Sequence, residues 1–255
     1  MEKLIATFED YSIFKADAKC INELSQFIVV ENYKHHVGTV EASQIADDIA
    51  DVTKEELALY GDNTYIYIAR DNQGKMLGSI RSFLWNRQSV LPLERIYGIN
   101  PLKTIHSDVK FNYWHVGRFA IDSTSGISTF TLFKSLMALA VQPIVGDSDS
   151  YMVAEIDCKL LKVMNALGFE TNQLGDSLYY LTSETVPISS SKQDIMGFYS
   201  KYGYLCGVAW LHKGVIIIVK RYLLPKRVKV ACSISYTFAA EIFIAHKYSV
   251  AFRLK

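Results

Sequence analysis

The chain has almost no surplus of charge of either sign: 27 Lys/Arg stand against 26 Asp/Glu in 255 residues, a formal net charge of +1. Nucleic-acid-binding domains carry a strong basic excess, so nucleic acid is not expected as a partner. Cysteine is scarce. The four present (Cys20, Cys158, Cys206, Cys232) lie far apart with no CxxC pair. A disulfide framework or a cysteine-rich zinc site is therefore not expected, and a reducing, cytoplasmic setting fits best. The first residues carry Glu2, Glu9 and Asp10 where a secretion leader would be basic and then apolar, so no leader is read there. Internal repeats and low-complexity tracts are missing as well.

What the sequence does have is apolar content. Half its residues are hydrophobic, enough for a substantial buried core in one large domain, or one domain with an appendage. The neutrality conceals an asymmetry. Residues 203–255 hold nine Lys/Arg and a single acid, Glu241, whereas residues 1–202 hold eighteen Lys/Arg and twenty-five acids. The switch near Tyr202 divides the chain into a domain at 1–202 and a basic, apolar extension at 203–255. Within that extension, His212 and Lys213 interrupt the apolar residues, which fall short of a clean membrane span. Lys220-Arg221 and Lys226-Arg227-Val228-Lys229 point instead to peripheral contact with an anionic membrane.

Periodicity outlines the domain. Ile21, Leu24, Phe27 and Ile28 recur at helical spacing, as do Ile45, Ile49, Val52 and Leu57, which predicts two amphipathic helices within 16–31 and 41–60. A hairpin follows: Thr64–Ala69, a turn at Arg70–Gly74, and a return strand Met76–Trp85. After an irregular stretch at 86–110 comes a third strand, Phe111–Ile121, and then a helix from Ile127 to about Val141. A strand at Tyr151–Glu155 leads into a helix at Ile156–Leu167 stopped by Gly168. Short strands at Phe169–Thr171 and Ser177–Leu181 and a helix near Asp194–Lys201 complete the order. Hairpins first and β-α-β alternation later predict a mixed α/β domain with a mainly antiparallel sheet flanked by helices.

Several short motifs lie on this frame. Gly78-Ser79-Ile80-Arg81 lies on the return strand, Trp114-His115-Val116-Gly117-Arg118-Phe119 forms the third strand, and Leu167-Gly168-Phe169 ends a helix. Together, over roughly residues 15–185, they resemble the GNAT acyltransferases. Within that superfamily, the Trp114–Phe119 strand is similar to the Trp-Glu-x-Ser-Arg-Phe signature of the acyl-homoserine-lactone and N-acyl amino acid synthases. Here His115 replaces the acid and Gly117 the serine. Asp62, just before the first hairpin strand, corresponds loosely to one of the branch's acids.

The resemblance implies an acyl-CoA N-acyltransferase type of fold and transfer of an acyl group from a thioester to an amine. The acceptor would be an amino acid or other small amine; the donor would be acyl carrier protein, through its phosphopantetheine, or acyl-CoA. The segment Asp122–Thr129 stands where acetyl-CoA-dependent members hold pyrophosphate on backbone N–H groups. It has one glycine and no basic residue, so Ser125, Gly126, Ile127 and Ser128 are the cofactor-binding candidates and a carrier-bound donor is at least as compatible. Met164 takes the place of a frequent tyrosine acid. An acetyl-CoA-dependent N-acetyltransferase and a non-catalytic binding module of the same fold stay open as alternatives.

N-acylation needs a proton acceptor for the amine and donors for the developing oxyanion. His115 is the candidate base, directly or through water. The implied oxyanion donors are backbone N–H groups where the central strand splays from its neighbour. Arg118 and Arg81 could orient an acceptor carboxylate, with Trp114, Phe119 and Asp62 as further substrate-binding candidates. Each has a plainer reading: a hydrogen-bonded structural histidine, and arginines neutralised by buried acids. Strand alternation sets a condition as well. It places Trp114, Val116 and Arg118 opposite His115, Gly117 and Phe119, so His115 and Arg118 share a pocket only if the strand is irregular. The His35-His36 pair reads as a solvated loop rather than a metal site, and Cys158 as a small buried residue.

Overall fold

A computed structural model describes residues 2–35, 41–105, 110–122, 124–180, 183–212 and 215–218. The basic clusters beyond Val219, His36 and the His35 side chain lie outside the described residues. The chain starts with a hairpin that helical periodicity did not reveal, β1 (Lys3–Thr7) and β2 (Tyr11–Ala16). Phe8 and Tyr11, whose rings stack at 4.5 Å, close its turn. The two expected helices follow as α1 (Ile21–His35) and α2 (Ala42–Leu59). The predicted hairpin is β3 (Thr64–Asp71) with β4 (Met76–Leu84). The irregular stretch contains two short helices, α3 (Pro92–Tyr97) and α4 (Pro101–Thr104), each opened by a proline at its first turn.

Next come β5 (Asn112–Ile121), α5 (Thr129–Gly146), β6 (Ser150–Asp157) and α6 (Cys158–Leu167). The described chain finishes with β7 (Asn172–Gln173), β8 (Leu178–Tyr180), β9 (Ser183–Ser191), α7 (Lys192–Tyr202) and a hairpin, β10 (Val208–His212) and β11 (Val215–Ile218). Nine strands form one sheet in the order β1-β2-β3-β4-β5-β6-β9-β7, with β8 also on β9. All its pairings are antiparallel except β5 with β6. This is the expected mixed α/β architecture.

Alternation on the strands sorts the core into two layers. On one face Ile80, Trp114, Val116, Met152 and Ile188 pack against α5, α6 and α7 through Leu136, Leu167 and Phe198. On the other, Ile66 and Ile68 meet α1 through Leu24 and Ile28, and Phe83 and Val153 meet the α3 segment through Leu93. α5 is the one helix among the described residues that is long and apolar enough to cross a membrane, yet Leu132, Leu136, Leu139 and Ile144 are fully enclosed by protein. The core also runs past Tyr202, since Leu205 and Cys206 are buried in the main cluster.

Gly168 closes α6 with φ +105, a left-handed cap that side chains disfavour. Its carbonyl lies against Gly197 of α7 so tightly that a Cβ on Gly197 would collide with the Gly168 oxygen. The Leu-Gly-Phe element thus docks one helix on another by backbone contact. One detail of α2 departs from its apolar spacing. Leu57 is exposed at its last turn, while Glu56, four residues after the buried Val52, points inward with 2 % exposure. What Glu56 meets inside explains the reversal.

Candidate functional site

The site forms where β5 parts from β6. The two pair in parallel only over Asn112–His115 against Ser150–Val153. Beyond that point β6 continues to Asp157 with β9 as its partner, and β5 continues to Ile121 with β4. The β6-facing backbone of β5 past His115 is left without a strand partner. A cavity of about 150 Å³ opens through this split, room for several waters or a small group of ligand atoms.

Its two ends differ in chemistry. Toward α5 and α6 the wall is apolar, with Met137, Met152, Ile156, Leu160 and Met164. Methionines suit an apolar ligand of variable shape, because the thioether chain repacks readily. Toward α1, α2 and α3 the wall carries Arg81, His115, Arg118 and Glu155.

A bulge brings these residues together. Across β4 and β5, Ser79 pairs with Ala120 and Arg81 with Gly117, so two intervals of β4 lie opposite three intervals of β5. The extra residue is accommodated at Arg118, whose φ of +57 lies in the left-handed region. The strand irregularity required for His115 and Arg118 to share a pocket is therefore present, and both line the cavity.

The charges are almost fully sequestered. Glu56 reaches in from α2 and lies 2.8 Å from Arg81 Nε and 2.7 Å from Arg118 Nε. Glu55 takes Arg118 Nη2 at 2.8 Å and the more exposed Arg95 Nη2 at 2.8 Å. Burial alone would push the Glu56 carboxyl up, but Arg81 and Arg118 hold it below the usual carboxylate range. Burial likewise pulls Arg118 down, and Glu56 with Glu55 more than reverses that. For Arg81 burial prevails over Glu56, and its value lies below that of a free guanidinium. Arg81 is also incompletely partnered. Nε is close to Glu56 but poorly aligned for a hydrogen bond, and Nη2 has no hydrogen-bond partner although the side chain is 1 % exposed.

His115 bridges this cluster to β6. Its Nδ1 lies 3.2 Å from Arg81 Nη1, and its Nε2 lies 3.0 Å from Glu155 Oε2 and 3.3 Å from Oε1. A guanidinium only donates, so Nδ1 must be the acceptor. The ring hydrogen therefore sits on Nε2 and is given to Glu155. Phe83 supports the arrangement from β4, stacking on the His115 ring at 5.2 Å with the Arg81 guanidinium 4.6 Å over its own ring. The free base expected at His115 is thus a ring with both nitrogens engaged.

Gly117 belongs to the same arrangement. A Cβ there would lie 3.0 Å from His115 Cε1 and 3.6 Å from Arg81 Nη2. A serine in its place would press on the imidazole. His115 and Gly117 are thus sterically coupled.

Of the other expected site residues, Phe119 alone lines the cavity. Trp114 faces the core on the α5 side, where its Nε1 donates to Asp147 at 3.1 Å, so alternation takes it out of the cavity. Asp62 is exposed in the turn before β3. Phe119 lines the cavity and meets Phe133 edge-on at 5.3 Å. Ser125, Gly126, Ile127 and Ser128 form the entry to α5; Ser125 Oγ donates to the Asp122 carbonyl, Ser128 Oγ to Thr131, and Ile127 packs on the core. Cys158 is half-buried at the start of α6. Glu55 and Glu56 were not singled out from the sequence, and Glu155 was placed only at a strand-to-helix junction with no role. The available signals were an acid at the i+4 position from Val52 and an acid inside an otherwise apolar strand.

No family model matches the sequence, and no curated protein matches it. Solved structures do resemble it. FeeM, an N-acyl amino acid synthase from uncultured soil microbes, is 19 % identical with a TM-score of 0.49, covering 71 % of this chain and 89 % of its own. The acyl-homoserine-lactone synthase LasI is 16 % identical at a TM-score of 0.48, covering 78 % and 96 %. A ribosomal-protein-S5-alanine acetyltransferase from Vibrio fischeri is 14 % identical at 0.44, covering 74 % and 96 %.

Proposed function

We propose that the chain is a GNAT-type N-acyltransferase that moves an acyl group from a thioester, on acyl carrier protein or coenzyme A, to the amine of a carboxylate-bearing acceptor such as an amino acid. The observation that carries this reading is the split between β5 and β6, with an apolar wall at one end of its cavity and a buried, incompletely partnered arginine at the other. An acyl chain fits the Met137–Met152–Met164 end. A thioester lying in the split can pair its carbonyl oxygen with the unpartnered backbone N–H groups of β5, which supplies the oxyanion donors the reaction needs. The acceptor enters from the charged end, its carboxylate on Arg81 Nη2 and its nitrogen directed at the thioester carbon. Attack forms the C–N bond, the C–S bond breaks, and the thiolate leaves and takes a proton from solvent. The near-neutral balance of the arginine and glutamate cluster lets it accept one further anion without a large field of either sign.

The test supplies purified protein with acyl-CoA and acyl-carrier-protein donors of several chain lengths and a mixture of amino acids, with products read by mass spectrometry. N-acyl amino acids are expected. Arg81→Lys keeps the charge but loses the Nη2 donor. A hydrogen bond to a charged group contributes about 1.5–3 kcal/mol, so the acceptor KM should rise by roughly 10- to 150-fold. Absence of any acylated product with every donor would end this reading.

A further inference from the structure

We infer that Glu155 of β6 is the proton acceptor of the cavity, and that His115 is a positioning residue that holds its carboxylate. The inference rests on the acyltransferase reading and names the base within that site. Neutral imidazole has a single in-plane lone pair, and at His115 Arg81 Nη1 already occupies it from 3.2 Å. To accept a proton from an amine, His115 would have to release that bond and place a charged ring beside a buried guanidinium. Glu155 is under no such constraint. Its carboxylate receives the Nε2 hydrogen from His115 and keeps lone pairs unused on both oxygens.

Its position is also favourable. Val153 is the last β6 residue paired with β5, opposite His115, and Glu155 follows two residues later on the same face. It therefore stands at the mouth of the split, lining the cavity, with a side chain 10 % exposed against 1 % for His115. Burial pushes its carboxyl up, while His115, Arg81 and Arg118 together hold it below the usual range, so it is a carboxylate at neutral pH. Further ionisable groups near it are Asp157 farther along β6 and Tyr180, which line the same cavity, and Tyr97 of α3, whose hydroxyl lies 2.6 Å from Thr185 on the neighbouring strand; Glu55 and Glu56 of α2 reach the cluster through Arg118.

In the reaction, the neutral amine attacks the thioester carbon and its nitrogen becomes cationic as the C–N bond forms. One N–H proton then passes to a Glu155 oxygen, giving the carboxylic acid, and the thiolate departs. A weak base suffices, because the nitrogen proton becomes strongly acidic once that bond exists. Glu155 returns its proton to water after product leaves. Throughout, Nε2–H of His115 fixes the carboxylate's orientation and needs no change of tautomer.

Two measurements decide the matter. In the acylation assay, Glu155→Gln should lower kcat by roughly 10²- to 10⁴-fold, the usual contribution of a general base. Acceptor KM should stay within about threefold, and the acid limb of the kcat–pH profile should disappear. Glu155→Asp should recover part of the rate, which a purely structural role would not require. Glu155→Gln with near wild-type kcat and an unchanged acid limb would overturn the assignment. Separately, long-range ¹H–¹⁵N spectra of the wild-type chain should show the neutral His115 ring carrying its hydrogen on Nε2. A neutral ring with its hydrogen on Nδ1 would overturn it without reference to activity. If the expected tautomer is found but the wild-type chain acylates nothing, the acyltransferase reading falls and takes the base assignment with it.

Discussion

Replacing Glu56 by alanine should be among the most damaging single changes available to this fold. The carboxylate is 2 % exposed and holds two guanidiniums, Arg81 at 2.8 Å and Arg118 at 2.7 Å, that are themselves almost wholly enclosed. Its removal leaves buried positive charge without its main counter-charge. Breaking a buried pair in this way costs about 3–5 kcal/mol, a large part of the roughly 5–15 kcal/mol that stabilises a typical domain. At about 2–4 °C per kcal/mol for a chain of this size, Tm should fall by about 6–20 °C. Glu55→Ala is the control. Glu55 is more exposed and leaves Arg118 its bond to Glu56, so that change should cost no more than about 1 kcal/mol. Circular-dichroism melts of both variants beside the parent suffice. pH adds a second dimension. The folded state holds the Glu56 carboxyl below its ordinary value, so its contribution is complete above the unfolded value of about 4.3 and is lost as pH falls through the folded one. The stability gap between the parent and Glu56→Gln should therefore shrink in acid. Equal melting points for Glu56→Ala and Glu55→Ala would refute the account of α2 as a helix anchored by buried charge.

Two further outcomes follow from the packing. Gly197→Ala forces α7 away from the Gly168 carbonyl and should destabilise by about 1–3 kcal/mol or more in urea unfolding, whereas Gly203→Ala, which meets only the Tyr199 ring, should cost less. Asp157 caps α6 by accepting from Lys159 N at 2.8 Å and Leu160 N at 3.2 Å, so Asp157→Ala should cost about 1 kcal/mol by the same measurement.

Local chemistry made much of the fold legible in the sequence. The β3–β4 hairpin followed from turn residues between β-rich runs, and the end of α6 from Gly168. Two features resisted for a shared reason: they depend on partners distant in sequence. Glu56 reads as an outward-facing acid until Arg81 and Arg118 are placed opposite it, and only those partners make its burial tolerable. Glu155 reads as the polar end of a strand until β6 is laid beside His115. The β1–β2 hairpin was missed differently, because its charged residues resemble a frayed terminus until β2 pairs with β3. At the site, the strand singled out from the sequence lines the cavity through His115, Val116, Gly117, Arg118 and Phe119, and alternation correctly required an irregularity to join His115 and Arg118. It also set Trp114 on the face opposite His115, but it could not say that a left-handed Arg118 supplies the irregularity.

The split gives the protein an edge strand in the middle of its sheet. Unpaired strand backbone at an outer edge invites other chains to add on, and proteins ordinarily blunt it with charge, proline or a covering element. Along the second half of β5 the strand across the gap is β6, which pairs with β9 instead. The unpaired stretch lies between two strands of one sheet rather than at its outer edge, so backbone hydrogen-bonding groups are left open without lengthening either edge that another chain could extend.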